Sequence, residues 1–596
     1  MVTGTPVLSS PANLPPPQAL REYALIADGE RGALIGPHGD IAWMCMPRWD
    51  SDAVFSTLIG GPGHYALGPV GRYVWGGYYE NGTLIWRSRW ITEHGIVECR
   101  EALALPADPH RAVLLRRVHA VSGEARLTVS LAPAAGFGSE RSHLPHRDED
   151  GTWSARTGSL RWRWSGVPEA RPARFGHRGG LAAALTLQPG ERRDLVLEMS
   201  EHALPAAPDA GSLWDGTKAA WAREVPSLEH TLAPEDARHA YTVMRGLTSV
   251  SGGMAAAVTT SLPERAEAGR NYDYRYVWIR DQCYAGQAVA AAGGHPLLDD
   301  AVRFVAARLH QDGPAMAPAY TVTGEPVPSP RELGLPGYPG GGSRVGNRVS
   351  RQFQLDAFGE ALLLFAAAHQ HGRLDADGWR AVDIAADTVA RRRGEADAGI
   401  WELDEQYWTH SRLICVAGLR AVAQVAPSVG RAAAWASLAD TILAETTANS
   451  LHPSGRWQRS TRDGALDAAL LVPPLRGALA ADDPRTVSTL RAYATELTRD
   501  HYAYRFRHDQ RPLEEAEGAF LLCGYLMAMA EHQQGNQAEA VRWFERNRSA
   551  CGPPGLFAEE YDISQRQLRG NLPQAFVHAI MLESAVRLTA PPGPRP

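Results

Sequence analysis

The densest collection of reactive groups in this sequence is Asn271-Tyr272-Asp273-Tyr274-Arg275-Tyr276-Val277-Trp278-Ile279-Arg280-Asp281, where aromatic rings, arginines and aspartates crowd in just before a stretch of helical spacing. Aromatic rings stack on the C–H faces of sugars, and Arg and Asp forks make bidentate hydrogen bonds to pairs of hydroxyls. An Arg-Asp ion pair pinning a helix start is the other reading of the same residues. A second group is Gly399-Ile400-Trp401-Glu402, followed by His410-Ser411-Arg412. A carboxyl beside apolar surface resists ionisation and can donate a proton to a leaving oxygen, whereas a solvated loop glutamate beside a core tryptophan would do nothing of the kind. The third is Ala558-Glu559-Glu560-Tyr561-Asp562, with Gly570-Asn571-Leu572-Pro573-Gln574-Ala575-Phe576 after it. Three acids so close repel one another, which suits either a plain acidic surface loop or a buried site that uses them. Two separated carboxyls, one protonated and one ionised, are what glycosidic cleavage requires.

Other chemistries find no support. Gly340-Gly341-Gly342-Ser343 has neither a following Lys nor a helix opening on it, so it reads as a loop and not as a phosphate cradle. No GxSxG, HExxH or dinucleotide fingerprint stands in a plausible context. The six cysteines, Cys45, Cys99, Cys283, Cys415, Cys523 and Cys551, show no metal-ligand spacing, and neither a metal nor an organic cofactor is expected. A net charge of −6 without a basic run argues against nucleic acid. The first twenty residues lack the basic start and apolar core of a secretory signal, and neither end carries a membrane-length apolar span. The expectation is a cytoplasmic protein that touches neither membrane nor nucleic acid.

A chain of 596 residues exceeds what one hydrophobic core organises, so two domains are expected. From about Tyr23 to Glu198 short alternating runs predict strands: Gly32 to Met46, Leu84 to Ile91, Ala112 to Ala120, Ala125 to Leu131 and Leu160 to Trp164. Asn81-Gly82 marks a hairpin between Tyr78-Tyr79 and Leu84-Ile85-Trp86. The Ala-, Pro- and Gly-rich stretch Ala203 to Leu213 reads as a linker. Beyond Pro234 the period becomes helical, and a dozen helices are predicted, among them Asp281 to Ala292, Phe353 to His371, Ala465 to Leu479, Gly518 to Gln534 and Pro573 to Leu588. Twelve helices fit six hairpins closed into a double ring better than a four-helix bundle. The boundaries are a flexible arm at 1–20, a β-sandwich at 21–202, a linker at 203–233, the helical domain at 234–589 and a tail at 590–596.

In this order the motifs resemble glycoside hydrolase family 15, the glucoamylases and bacterial trehalase-like enzymes. The resemblance runs from Tyr23-Ala24-Leu25-Ile26-Ala27-Asp28-Gly29 and Pro47-Arg48-Trp49-Asp50-Ser51, through Arg270 to Asp281, Arg344-Val345-Gly346-Asn347 and Gln354-Leu355-Asp356-Ala357-Phe358-Gly359-Glu360, to Gly399 to Glu402, Glu517 to Cys523 and Ala558 to Phe576. It implies an N-terminal antiparallel β-sandwich followed by an (α/α)6 barrel. It also implies inverting, exo-acting hydrolysis of malto-oligosaccharides, trehalose or isomaltose with release of β-glucose. Carried over by position, Glu402 falls on the general acid and Glu559 on the general base. Trp278, Arg280 and Asp281 fall on the grip of the non-reducing-end sugar, with Trp401, His410 and Gln574 as further sugar contacts. Arg412 replaces a usual Lys, and the spacing Glu514-Glu515-Ala516-Glu517 departs from the common pattern, which leaves Glu515, Glu517 and Glu560 without an assigned role. An inverting disaccharide phosphorylase, which would bind phosphate where Glu559 holds water, and a non-catalytic sugar-binding protein are the alternatives.

Overall fold

The computed structural model describes residues 16–265, 270–508 and 511–591. Most of the expected arm at 1–20 and of the tail at 590–596 lies outside the described residues. The chain divides into two compact units, Met1–Ala222 with Leu333–Ser343, and Arg223–Glu332 with Arg344–Pro596.

The first unit is built from antiparallel sheets. An eight-stranded sheet runs, in spatial order, through His146–Arg147, Trp153–Thr157, Leu160–Ser165, Arg192–Ser200, Arg111–Gly123, Gly95–Leu103, Trp86–Thr92 and Tyr73–Tyr79. A four-stranded sheet is ordered Arg171–Phe175, Arg178–Leu187, Ala125–Ala132 and His64–Pro69, and the strands from Ala24 to Phe55 form a third. Period-2 patterning explains the packing: in Ala125–Ala132, residues Ala125, Leu127, Val129 and Leu131 are buried while Arg126 and Thr128 are exposed. These side chains share one core with Trp86, Trp90, Val97, Leu114 and Val118 of the large sheet. Tyr73–Tyr79 and Trp86–Thr92 pair as the Asn81-Gly82 signal predicts, with Gly82 at φ +68° in the turn.

The segment 203–233, expected to be a linker, instead contains the helix Ala210–Glu224. Its buried stripe, Trp214, Thr217, Ala220 and Trp221, begins only after the Ala- and Gly-rich stretch that carries no period.

In the second unit six inner helical segments close a ring: Ile279–Ala291, Asp356–Gln370, Thr409–Gln424, the short pair Ala468–Leu471 and Val472–Leu475, Leu521–Gln533, and Ala575–Arg587, which returns to Ile279–Ala291. Six outer helices, Pro234–Leu247, Leu297–Asp312, Ala376–Arg392, Val429–Ser450, Pro484–Glu496 and Gln537–Arg548, pack around it. This is an (α/α)6 barrel. Inner helices such as Asp356–Gln370 are apolar nearly all round and buried accordingly, whereas Ala376–Arg392 buries one stripe, Gly378, Ala381, Val382, Ala385, Ala386, Thr388 and Val389. Gly359 and Gly418 let two inner helices touch, since a Cβ on Gly359 would stand 2.8 Å from the backbone of Ile414 and Cys415. The predicted helix at 465–479 is the one that shrinks, to a 3-10 turn and a single α-turn. Pro473 and Pro474 cannot donate to the helical ladder and are tolerated only in a first turn.

Each inner helix turns outward through a short connection, and each outer helix returns inward through a long one, as at 248–278, 313–355, 393–408, 451–467, 497–520 and 549–574. All the long connections therefore arrive at the N-terminal ends of the inner helices, on one side of the barrel. Loops held by a rigid ring can carry function there.

Candidate active site

Those loops enclose a cavity of about 310 Å³ lined among others by Tyr272, Tyr274, Arg280, Arg348, Trp401, Glu402, Arg505, Phe520 and Glu559. Tyr284, Leu522 and Phe576, from the first two turns of inner helices, also line it. A second cavity of about 530 Å³, lined by Asp404, Gln406, Trp408, Arg459 and Arg507 among others, shares Gln352, Glu402, Leu403, Phe506 and His508 with the first.

Glu402 sits on a tight turn with its backbone at φ +57°, a left-handed conformation that non-glycine residues adopt at a cost. Asp397 holds that turn to the head of the next inner helix, accepting from Gly399 N (2.9 Å), Ser411 Oγ (2.8 Å) and the Arg412 guanidinium. This is the work of the Ser411-Arg412 pair. The Glu402 carboxyl does not meet the apolar surface that its neighbours Ile400 and Trp401 suggested. It accepts from Trp278 Nε1 at 2.6 Å and stands 3.6 Å from Arg280, while Arg280 donates to Ile400 O at 2.7 Å. Trp401 turns its indole N–H to Asp467, 2.7 Å away, and packs edge-on against Phe520.

The acidic run Ala558 to Asp562 is buried and not a surface loop. Glu560–Asp562 forms a small sheet with Ala519–Phe520 and Gln567–Arg569, and strand alternation sends neighbouring acids opposite ways. Glu560 accepts from Gly518 N (2.7 Å) and Arg505 (3.2 Å), whereas Glu559 faces the cavity, its two oxygens 3.4 and 3.3 Å from the Tyr274 hydroxyl. Burial, reinforced by the neighbouring Glu264 carboxyl, pushes Glu559 well above the usual carboxylate range. Burial likewise raises the Tyr274 phenol, so this hydroxyl remains a donor.

Of the two Arg-Asp pairs in the Asn271 to Asp281 stretch, one is structural. Arg275 forks onto Asp273 at 2.8 Å on both arms, both side chains buried, and Asp273 also accepts from Gly346 N at 2.8 Å, tying in the Arg344-Val345-Gly346-Asn347 motif. The other reaches the cavity through Arg280.

The structure thus brings Glu402, Glu559, Arg280 and Trp401 to one cavity. Trp278 and Asp281, expected with Arg280 to grip the sugar, do not line it: both lie one layer beneath. Trp278 acts on Glu402 through its N–H, and Asp281 stands 3.5 Å from Arg280, its carboxyl raised to about 6 by burial against the opposing pull of that arginine. His410 does not line the cavity either. It is buried beside a narrow crevice behind Ile400 and Trp401, lowered to about 3 by burial and by Arg280, and is therefore neutral. Gln574 is buried at the head of the last helix, its N–H on Phe557 O at 2.8 Å. Helical periodicity places such residues at a helix start but does not say which reach the solvent-facing layer.

Glu264, Arg505, Asp397 and Asp467 were not anticipated. Each stands in a long connection among other charged residues, and no spacing singles it out. Glu517, left without a role by the sequence, is buried and anchored by Arg505 (2.5 Å), Arg270 (3.0 Å) and His508 (2.8 Å). Although burial opposes it, Arg505 and His508 bring Glu517 down to about 2. Among the described residues no cluster of three or more His, Cys, Asp or Glu could hold a metal ion, and no helix is long and apolar enough to cross a membrane. All six cysteines are free thiols.

A barrel of this kind, with glutamates, arginines and aromatic rings around one cavity, has the makings of a glycoside hydrolase. The profile of the Glycosyl hydrolases family 15 matches residues 239–586, and that of the Trehalase-like, N-terminal domain matches residues 16–159. The chain belongs to glycosyl hydrolase family 15. It is 32% identical to the trehalase of Mycobacterium tuberculosis, over 97% of this chain and 91% of that one, and 31% identical to the trehalase of Mycolicibacterium smegmatis, over 98% and 93%. A bacterial glucoamylase solved with acarbose superposes with a TM-score of 0.70 over 97% of both chains at 14% identity, a likeness of fold.

Proposed function

We propose that this chain is an inverting, exo-acting α-glucoside hydrolase whose substrate is trehalose, with Glu402 as general acid and Glu559 as general base. The observation that carries the reading is where the two carboxyls stand: Glu402 lines both cavities, at the place where they meet, and Glu559 lines only the first. A sugar bound in the first cavity, with its leaving group in the second, has its glycosidic oxygen beside Glu402 and the far face of its anomeric carbon toward Glu559. The choice of trehalose rests on the relatives named trehalase, which align over nearly the whole chain.

In the proposed reaction a water gives its proton to Glu559 while its oxygen bonds to the anomeric carbon. The glycosidic C–O bond breaks with its electron pair on the leaving oxygen, which takes the Glu402 proton. As Glu402 becomes a carboxylate, the Trp278 N–H and the Arg280 guanidinium stabilise the charge that develops. Arg280 is held to the Ile400 carbonyl, so its position is set before substrate arrives.

Trehalose joins two glucoses through both anomeric carbons, so a single displacement releases one β-glucose from the attacked half and one α-glucose from the leaving half. Carbon NMR of the first turnovers in water enriched in heavy oxygen should show both anomers in equal amounts, with the isotope shift at the anomeric carbon of the β anomer only. Label in the α anomer would refute inversion. Faster glucose release from maltose or isomaltose than from trehalose would overturn the choice of substrate. Turnover that requires phosphate would favour a phosphorylase.

A further inference from the structure

Beside the Glu559 carboxyl, and lining the same cavity, stands a second one that the reaction above does not use. Glu264 is 3% exposed, at the end of Ser261-Leu262-Pro263-Glu264. Its Oε1 lies 3.3 Å from the same Tyr274 hydroxyl that faces both oxygens of Glu559, and the two carboxyls are within hydrogen-bonding reach of each other. Gly570 closes the space beside them: its N–H is on Pro263 O at 2.9 Å, and a Cβ there would stand 3.5 Å from Glu559 Cβ and 3.8 Å from Glu264 Cγ. One hydroxyl cannot donate to two carboxylates at once, and two buried carboxylates in contact cannot both stay ionised without strong repulsion.

The charges around the pair decide which member keeps a proton. Arg505 reaches Glu264 at 3.5 Å while also binding Glu517 and Glu560, and Arg270 binds Glu517. Among the described residues no arginine stands within ion-pair distance of Glu559, while Asp281 adds a further repulsion to it. Four carboxyls, Glu264, Glu517, Glu559 and Glu560, thus face two arginines and His508, which binds Glu517. Tyr272, which lines the same cavity, brings no positive charge.

We infer that Glu264 is a positioning residue for Glu559: the two carboxyls hold one proton between them, resting on Glu559 and directed at the Glu264 carboxylate, and release of that proton to solvent sets the acid limb of turnover. Glu559 accepts a proton from water only after the pair has lost its own. Although Glu264 also lines the cavity, its part in this reading is to act through Glu559 and not on the sugar. The inference rests on the proposed role of Glu559 as base and adds to it the group that governs the pH at which that base works. Burial moves both carboxyls upward, as expected of a pair that keeps a proton, and Arg505, which reaches ion-pair distance of Glu264 and not of Glu559, favours the charge on Glu264.

The test is the pH profile of kcat/KM on trehalose for the full chain carrying Glu264→Gln and Glu264→Asp. Removing the like charge lets Glu559 ionise at lower pH, so the acid limb of Glu264→Gln should move down by at least about one pH unit, equivalent to about tenfold more activity, relative to the plateau, on the acid side. Glu264→Asp, which keeps the charge but withdraws it by one methylene, should move the limb the same way by a smaller step, and it carries the test if the amide variant does not fold. A purely structural role would lower the rate equally at every pH. Limbs that coincide with wild type in the folded variants would overturn the inference. Glu559→Gln separates the two levels: turnover by that variant would sink the base assignment itself, whereas a dead Glu559→Gln beside an unshifted Glu264→Gln would sink only the pairing.

Discussion

Trp278→Phe isolates one hydrogen bond at the proposed acid. The indole N–H donates to Glu402 Oε1 at 2.6 Å, and Trp278 is buried behind the cavity, so phenylalanine removes the donor and leaves the sugar-facing surface in place. A hydrogen bond to a charged group contributes about 1.5–3 kcal/mol, and this one strengthens as Glu402 gives up its proton, so it acts on the transition state more than on the bound substrate. At about 1.4 kcal/mol per tenfold, kcat should fall by roughly 10- to 100-fold. KM should stay within about twofold of wild type, because uniform substrate binding is untouched. The smaller ring also leaves a partly filled space next to Tyr274, with which Trp278 makes an edge-on contact at 5.5 Å, so thermal unfolding should come at a somewhat lower temperature. The assay is coupled glucose release from trehalose, with a melting curve to establish folding. If the folded variant kept kcat within about twofold of wild type, the Trp278–Glu402 bond would have no part in proton donation.

Glu402→Gln and Glu559→Gln should each fold and each lose about 100-fold or more of kcat, checked on unactivated trehalose, because each removes a proton-transfer partner without changing shape. Arg280→Ala should raise KM and lower kcat together, and Arg280→Lys should recover little, since a point charge cannot reproduce a guanidinium that serves Glu402, Ile400 O and Asp281 at once. Asp356 is fully buried, neither carboxyl oxygen has a hydrogen-bond partner among the described residues, and burial followed by repulsion from Asp397 raises it to about 7. A carboxyl raised on folding favours the folded state below its unfolded pKa and loses that contribution as pH rises through the folded value. Asp356→Asn should therefore gain stability relative to wild type as pH rises from about 4 to about 7, and melting temperatures of the two proteins that change in parallel over that range would contradict this.

The residues divide into those whose neighbours in sequence disclose them and those whose neighbours in space do. The alternating runs of the first unit, the Asn81-Gly82 hairpin and the helices of the barrel were legible because burial imposes a period of 2 on a half-buried strand and about 3.6 on a helix, whatever the rest of the chain does. The order of short motifs pointed to Glu402, Glu559 and Arg280 for the same local reason: each lies among unusual residues that no helix or strand needs. Local reading failed where a competing local rule won, at Pro473 and Pro474, and where a stripe began late, at Trp214.

What only the tertiary structure decided is depth and pairing. Trp278, Asp281 and Arg280 are adjacent in sequence, yet the turn entering Ile279–Ala291 places Arg280 at the cavity and the other two behind it. Asp273 and Arg275 look like a second sugar grip and instead lock a loop to Gly346. Glu264 and Tyr274 come from one connection between an outer and an inner helix and Glu559 from another, and no local pattern marks a glutamate as the partner of another 295 residues away in a chain of 596. Periodicity records how far a side chain is from water along its own element; which charges face each other depends on how the barrel closes, because only closure brings the six long connections to one end.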